Sequence, residues 1–91
     1  MGDSQLEKYE VSGHSMYPLL RDGQEVEVQP QTDYHAGDIV VARHPFLKDT
    51  VVVKQISEVS DSGYRLKSIG EGTSNFGTVK PKDIIGKVLL D

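Results

Sequence analysis

The sequence predicts an all-β fold, a small coiled sheet or open barrel, because two features coincide. Apolar residues recur mostly at every second position, which is the period of a strand rather than of a helix. The apolar blocks are short, and turn signals such as Asp22-Gly23 and Asp61-Ser62-Gly63 separate them. The 91-residue chain has no cysteine, so its core has to come from Val, Ile and Leu without disulfides.

Each element is predicted from its local pattern. Residues 25–29 alternate Glu and Val, which suits a strand with one buried face. Residues 51–59 are the longest valine-rich block, and the turn that follows joins them to residues 64–69 in a hairpin. Gly86 indicates a bulge or a close backbone approach in the last strand. The predicted strands are residues 6–11, 25–29, 38–44, 51–59, 64–69 and 83–90, and one short helical turn is predicted at residues 16–20, which include Pro18.

Composition limits the domain organisation and the partners. Residues 1–5 are predicted to be a loose tail and residues 6–91 a single domain. The net charge of −4 argues against nucleic acid or an anionic membrane surface as a partner. Neither a signal peptide nor a run of about 20 apolar residues is present, so a cytoplasmic location is predicted. The histidines lie far apart in sequence and cysteine is absent, so no metal or cofactor is predicted.

Lys54 interrupts the apolar pattern of its strand. With a period of two, Val52, Lys54 and Ile56 share one face. If this face is the core, burial lowers the pKa of the amine, and a neutral amine near pH 7 is a general base. The alternative is an edge-strand lysine whose stem lies on apolar surface and whose head faces water. The pattern alone favours this alternative.

Ser15 lies where a short β-like segment changes into Met-Tyr-Pro-Leu-Leu. A serine hydroxyl needs an adjacent base to become a nucleophile. His14 does not supply it, because neighbouring side chains in an extended segment point to opposite sides. Gly13 would let a substrate backbone approach closely, and Met16 would form an apolar floor. Considered alone, Ser15 is better explained as the N-cap of the following helical turn.

Residues 69–79 combine glycines with Ser, Thr and Asn, and they are predicted to form a loop between strands. Such a loop could line a cleft and orient a catalytic group through the hydroxyl of Thr73 or Ser74. No helix and no Lys-Ser/Thr pair follows the glycines, so a phosphate-binding loop is not predicted.

In their order, these segments resemble the type I signal peptidase family, whose members use a Ser/Lys dyad. Residues 12–20, Ser-Gly-His-Ser-Met-Tyr-Pro-Leu-Leu, match the family's nucleophile box, a Ser-Met-x-Pro core followed by Leu. Residues 36–41 look like the Gly-Asp-hydrophobic strand that comes next, and residues 51–56 fall where the family carries its general-base lysine. Residues 70–79 and 81–88 look like its terminal Gly-rich box and closing strand. The resemblance therefore extends from about residue 11 to residue 88.

This resemblance implies a small β-domain of the signal-peptidase catalytic core type that acts as a serine endopeptidase. It would remove an N-terminal propeptide or signal-like extension from a protein substrate, bound as an added β-strand. Ser15 would attack the scissile carbonyl, neutral Lys54 would take its proton, and the Ser15 backbone N–H would donate to the oxyanion. Ser74 matches the serine that hydrogen-bonds the lysine in relatives. The predicted substrate contacts are Gly13, Met16 and Val52.

The chain also departs from the family pattern. It has Lys-Gln where the family usually has Lys-Arg, and its terminal box lacks the usual Asp and Arg. Gly13 stands where some relatives carry a serine that donates to the oxyanion. Without a membrane anchor or a large insert domain, the chain looks like the peptidases that remove the propeptide of nickel-type superoxide dismutase.

Two other functions stay open. The altered terminal box would suit a catalytically inactive β-module that binds an extended peptide. Intramolecular cleavage, as in the SOS-response self-cleaving repressors that resemble this fold, needs a cleavage site before the serine box, where the sequence offers only a short segment.

Overall fold

The described residues, 6–13, 16–70 and 75–90 of a computed structural model, form one antiparallel sheet that does not close. The strand order across the sheet is β1-β2-β7-β3-β4-β5-β6, so β1 and β6 are its edges. The predicted open, all-β architecture is confirmed. The strands are β1 (Glu7–Glu10), β2 (Glu25–Gln29), β3 (Ile39–Arg43), β4 (Val51–Ser60), β5 (Gly63–Lys67), β6 (Asn75–Val79) and β7 (Ile84–Leu89).

The predicted strands are all present, and their ends differ from the predicted ends by at most two residues. The β4–β5 hairpin is also confirmed, with Ser60 opposite Gly63 at its tip. The loop predicted over residues 69–79 is wrong for Asn75–Val79, which pair with β5 as β6. Val79 becomes buried there, and Gly77, at φ +119°, lies where the register against β5 shifts. Pairing and burial therefore outweigh the loop-like composition.

The core covers both faces of the central strand β3. Ile39 and Val41 of β3 belong to a cluster on one face, whereas Val40 and Ala42 belong to a cluster on the other face. Burying each such valine or isoleucine removes enough apolar surface to stabilise the fold by about 1.5–3 kcal/mol. The first cluster contains Val11, Met16, Leu20, Val26, Val28, Ile39, Val41 and Val88; the second contains Tyr34, Val40, Ala42, Ile56, Tyr64, Leu66, Val79 and Ile84.

Gly86 allows β7 to pack closely against β2, as its position predicted. A Cβ atom at this glycine would lie 2.6 Å from Cγ1 of Val28 and 2.9 Å from the backbone of Gln29. The register between β3 and β7 also shifts beside it, between Val41 and Ala42. Both predicted roles of Gly86, the bulge and the close approach, are therefore found together.

Helical structure is limited to short segments in the described part of the chain. Residues 16–20 form a turn in which the N–H of Leu20 donates to the carbonyl oxygen of Met16 at 2.9 Å, so the predicted helical turn is a single hydrogen-bonded turn. A 3₁₀ helix at Pro81–Asp83 was not predicted, although a proline at its start is a typical signal. None of the described helices is long and apolar enough to span a bilayer.

Candidate active site

Lys54 lies in the first half of β4, directly opposite Val40 of β3. Ile56 belongs to the second core cluster and Val52 packs against it, whereas Val53 packs against the first cluster. The predicted alternation along this strand is therefore confirmed. Because Lys54 is only half-buried, its environment lies between the two predicted alternatives, a core lysine and a water-facing one.

The first half of β4 also borders an opening in the sheet. Pairing with β3 covers Val51 to Gln55, but pairing with β5 begins only at Gln55. Among the described strands, Val51–Val53 therefore have β3 as their only ladder neighbour. This part of an otherwise internal strand behaves as a local edge, which is where an extended peptide can add.

Within the described part of the chain, Ser68 and Phe76 lie beside the Lys54 amine. Its Nζ donates a hydrogen bond to Oγ of Ser68 at 2.8 Å, and it lies 5.4 Å from the centroid of the Phe76 ring. The His44 ring packs edge-on against Phe76, with the ring centroids 5.3 Å apart. The contacts of the amine come from β6 and from the segment after β5, and His44, which follows β3, packs behind the Phe76 ring.

Ser68 was missed by the sequence analysis because its position depends on a β-bulge. The register at the hairpin tip, with Ser60 opposite Gly63, would place Ile69 opposite Lys54 if it continued unchanged. A register shift between Ile56 and Glu58 puts Gln55 opposite Lys67 and thereby brings Ser68 to Lys54. Bulges commonly redirect side chains beside functional sites, and no local sequence signal predicted this one.

Burial lowers the pKa of the Lys54 amine below the ordinary value of 10.5, because desolvation penalises the ammonium form. The Ser68 oxygen and the Phe76 ring face both favour a cation and therefore oppose this effect in part. The direction of the shift increases the fraction of neutral amine near pH 7. At a given pH, a larger fraction of Lys54 than of an exposed lysine is therefore neutral and able to accept a proton.

A cleft of about 120 Å³ borders Lys54. One wall consists of Tyr9, Glu10, Val11, Ser12 and Met16, and the other consists of Val51, Val52, Val53 and Lys54. A larger depression of about 500 Å³ lies elsewhere, beside β2 and the end of β7, and Lys54 is not among its lining residues. The cleft is therefore the candidate active site, because it is the one that includes the perturbed lysine.

The sequence matches the family model described as Peptidase S24-like over residues 2–89. The chain belongs to this family. Membership confirms the predicted signal-peptidase-like relationship at the family level and indicates a serine-protease type of function. No curated protein matches the chain.

The predicted site residues of this Peptidase S24-like chain are placed as follows. Met16 is 1% exposed and lines the cleft, and half-buried Val52 lies on the opposite wall. Gly13 lies between two cleft residues, Ser12 and Met16. Its φ of +87° requires glycine, and its N–H donates to Oδ1 of Asp22 at 2.7 Å. His14, Ser15, Thr73 and Ser74 lie outside the described residues, so their roles stay predictions.

Proposed function

We propose that this chain is a serine endopeptidase in which Ser15 is the nucleophile and Lys54 is the general base. The observation that carries the proposal is the half-buried amine of Lys54, whose pKa is lowered by burial, on a cleft that Met16 also lines. Ser15 directly precedes Met16 in the sequence, and Ser12 lines the same wall. Family membership supports a serine-protease type of chemistry for this arrangement.

In the acylation step, Oγ of Ser15 bonds to the scissile carbonyl carbon while its proton moves to the neutral Nζ of Lys54. The backbone N–H of Ser15 donates to the developing oxyanion. The carbon–nitrogen bond then breaks, and the Lys54 ammonium protonates the leaving amine. This leaves an ester on Ser15 and a neutral Lys54 again.

In the deacylation step, Lys54 takes a proton from water as the water oxygen attacks the ester carbonyl. The bond between that carbon and Oγ of Ser15 breaks, and Lys54 returns the proton to Ser15. The products are a carboxylate on one fragment and an amine on the other, and no other co-reactant is consumed.

The proposed substrate is an extended N-terminal segment of a protein, such as a propeptide. The local edge at Val51–Val53 offers backbone groups to a chain that lies along it. At about 120 Å³, the cleft is smaller than the roughly 300–1,000 Å³ of a small-molecule site. Met16 and Val52 line it, so it suits a small apolar side chain next to the cleaved bond.

The test is an unbiased cleavage assay on a library of unfolded proteins, with new N-termini identified by mass spectrometry. We expect cleavage by the wild type and none by Ser15→Ala, whereas Ser62→Ala, in the hairpin turn, serves as the matched serine control. Persistent cleavage by Ser15→Ala would contradict the proposal. Peptide binding that survives Ser15→Ala without any turnover by the wild type would favour the inactive binding module.

Intramolecular cleavage would use the same residues and is measured separately. Intact mass after long incubation at alkaline pH would reveal loss of residues before Ser12. We expect the mass to stay unchanged while added substrates are cut.

A further inference from the structure

We propose that Ser68 is a positioning residue that holds the amine of Lys54 in one orientation by accepting a hydrogen bond from its Nζ. The inference rests on the proposed function, in which Lys54 is the base. It is carried by the 2.8 Å distance between Nζ of Lys54 and Oγ of Ser68. The bulge in β4 sets the register of Gln55 opposite Lys67, so that Ser68, one residue beyond the paired strand, lies beside Lys54.

A neutral amine needs such an acceptor in order to work as a directed base. It has two N–H bonds and one lone pair, and only the lone pair can receive the proton of a nucleophile. The lysine stem has four flexible carbons, so an unrestrained head samples many directions. Once one N–H is committed to the Ser68 oxygen, the lone pair is confined to the directions that point away from it.

Ser68 is well placed to fix this geometry because its own backbone is fixed. It follows β5 directly, and the preceding residue, Lys67, pairs with both Gln55 of β4 and Asn75 of β6. The next residue, Ile69, packs against the first core cluster. The Phe76 ring at 5.4 Å limits the amine on a further side. Ser68 would act together with any contact from Ser74, whose predicted role stays separate from this proposal.

Ser57 supplies a matched control for a general structural effect. Its hydroxyl donates to the carbonyl oxygen of Arg65 at 3.2 Å and thus also links β4 to β5. It lies at the bulge, three residues after Lys54. If a change in the Lys54 pKa or in kcat reflects only weaker pairing between β4 and β5, it should appear in Ser57→Ala as well as in Ser68→Ala.

The first readout is the titration of Lys54 by NMR, with labelled lysine side chains and Lys54→Arg for assignment. Ser68→Ala removes an acceptor that favours the ammonium, so the pKa of Lys54 should fall further below its wild-type value. Ser68→Thr keeps the hydroxyl and should restore the wild-type titration, and Ser57→Ala should leave it unchanged. Equal titration curves for the wild type and Ser68→Ala would overturn the inference.

The second readout is the cleavage kinetics of the same variants. Ser68→Ala should lower kcat about 10- to 100-fold with little change in KM, because the base is misaligned while substrate contacts remain. Ser68→Thr should recover most of kcat. If Ser57→Ala lowers kcat as much as Ser68→Ala does, or if Ser68→Ala leaves kcat unchanged, the positioning role of Ser68 is overturned. The titration does not require turnover, so if the wild type fails to cleave, the proposed function fails and the titration alone decides whether Ser68 holds the amine.

Discussion

The neighbouring strands β3 and β4 are both rich in valine, yet they are used differently. In β3, Ile39 to Ala42 are buried, and the strand pairs with β7 on one side and with β4 on the other. In β4, Val51 to Gln55 are exposed or half-buried, and the pairing with β5 starts only at Gln55. The first half of β4 therefore has a core neighbour on one side and a cleft on the other.

This difference explains how a lysine can occupy a valine-rich strand. A charged amine opposite Val40 would be costly if both sides of β4 were covered as they are in β3. At the cleft, Lys54 is desolvated enough to lower its pKa but still has polar contact through Ser68. The local edge thus leaves a partly desolvated amine on the cleft, at the margin of the core.

The largest expected effect of a substitution in β3 or β4 is the loss of cleavage activity when Lys54 of β4 is replaced. Lys54→Met keeps much of the side-chain volume and removes the base, so cleavage should fall by about 10²- to 10⁴-fold. The measurement is kcat/KM on a substrate identified in the library assay. The control is Lys67→Met, which lies opposite Gln55 on the adjacent strand. It should change kcat/KM by less than about threefold, because Lys67 has no general-base role. Similar losses for both lysines would contradict the assignment.

The next contrast concerns stability. Val41→Ala in β3 deletes fully buried methyl groups and should lower the free energy of unfolding by about 2–3 kcal/mol. Val53→Ala in β4, directly opposite, removes a half-buried side chain and should cost less than about 1 kcal/mol. Urea unfolding of both variants measures the difference. Equal losses would mean that the first half of β4 is as much a part of the core as β3.

Gly86→Ala tests how β7 covers β3. The added methyl group would clash with Val28 and with the backbone of Gln29, so we expect a loss of about 1–3 kcal/mol from overpacking. Gly86 lies opposite Val41, and the strain should therefore reach the centre of the sheet. Urea unfolding measures the loss, and an unchanged free energy of unfolding would show that β7 and β2 can separate without cost.

The smallest expected effect is the pH dependence of stability that Lys54 contributes. Its pKa in the folded state lies below the 10.5 of the unfolded chain, so the unfolded state binds more protons between those two values. The contribution of Lys54 therefore destabilises the fold below its folded-state pKa and disappears as the pH rises to about 10.5. The stability difference between Lys54→Met and the wild type should shrink over this window, as measured by urea unfolding. A constant difference would indicate an unshifted lysine.

The sequence predicts the strands with clear alternation and fails where the backbone departs from regular pairing. The Glu-Val alternation of residues 25–29 reports one buried face, and the structure forms β2 there. Asn75–Val79 contain Gly77 and few apolar residues, so their pairing with β5 depends on tertiary context. The period of two correctly placed Lys54 on the same face as Val52 and Ile56. The degree of burial of Lys54, however, depends on where the pairing of β4 with β5 begins. The contact between Lys54 and Ser68 likewise depends on the bulge between Ile56 and Glu58, which the sequence did not predict.

The most direct test of the central claim, that Lys54 activates Ser15, is the pH dependence of covalent labelling at Ser15. A fluorophosphonate forms a bond between phosphorus and Oγ and releases fluoride, and intact mass with peptide mapping measures the rate. The account predicts that labelling of the wild type increases with pH through a midpoint below 10.5 and that Lys54→Met is labelled far more slowly. Equal labelling rates at Ser15 in both proteins across the pH range would contradict the dyad.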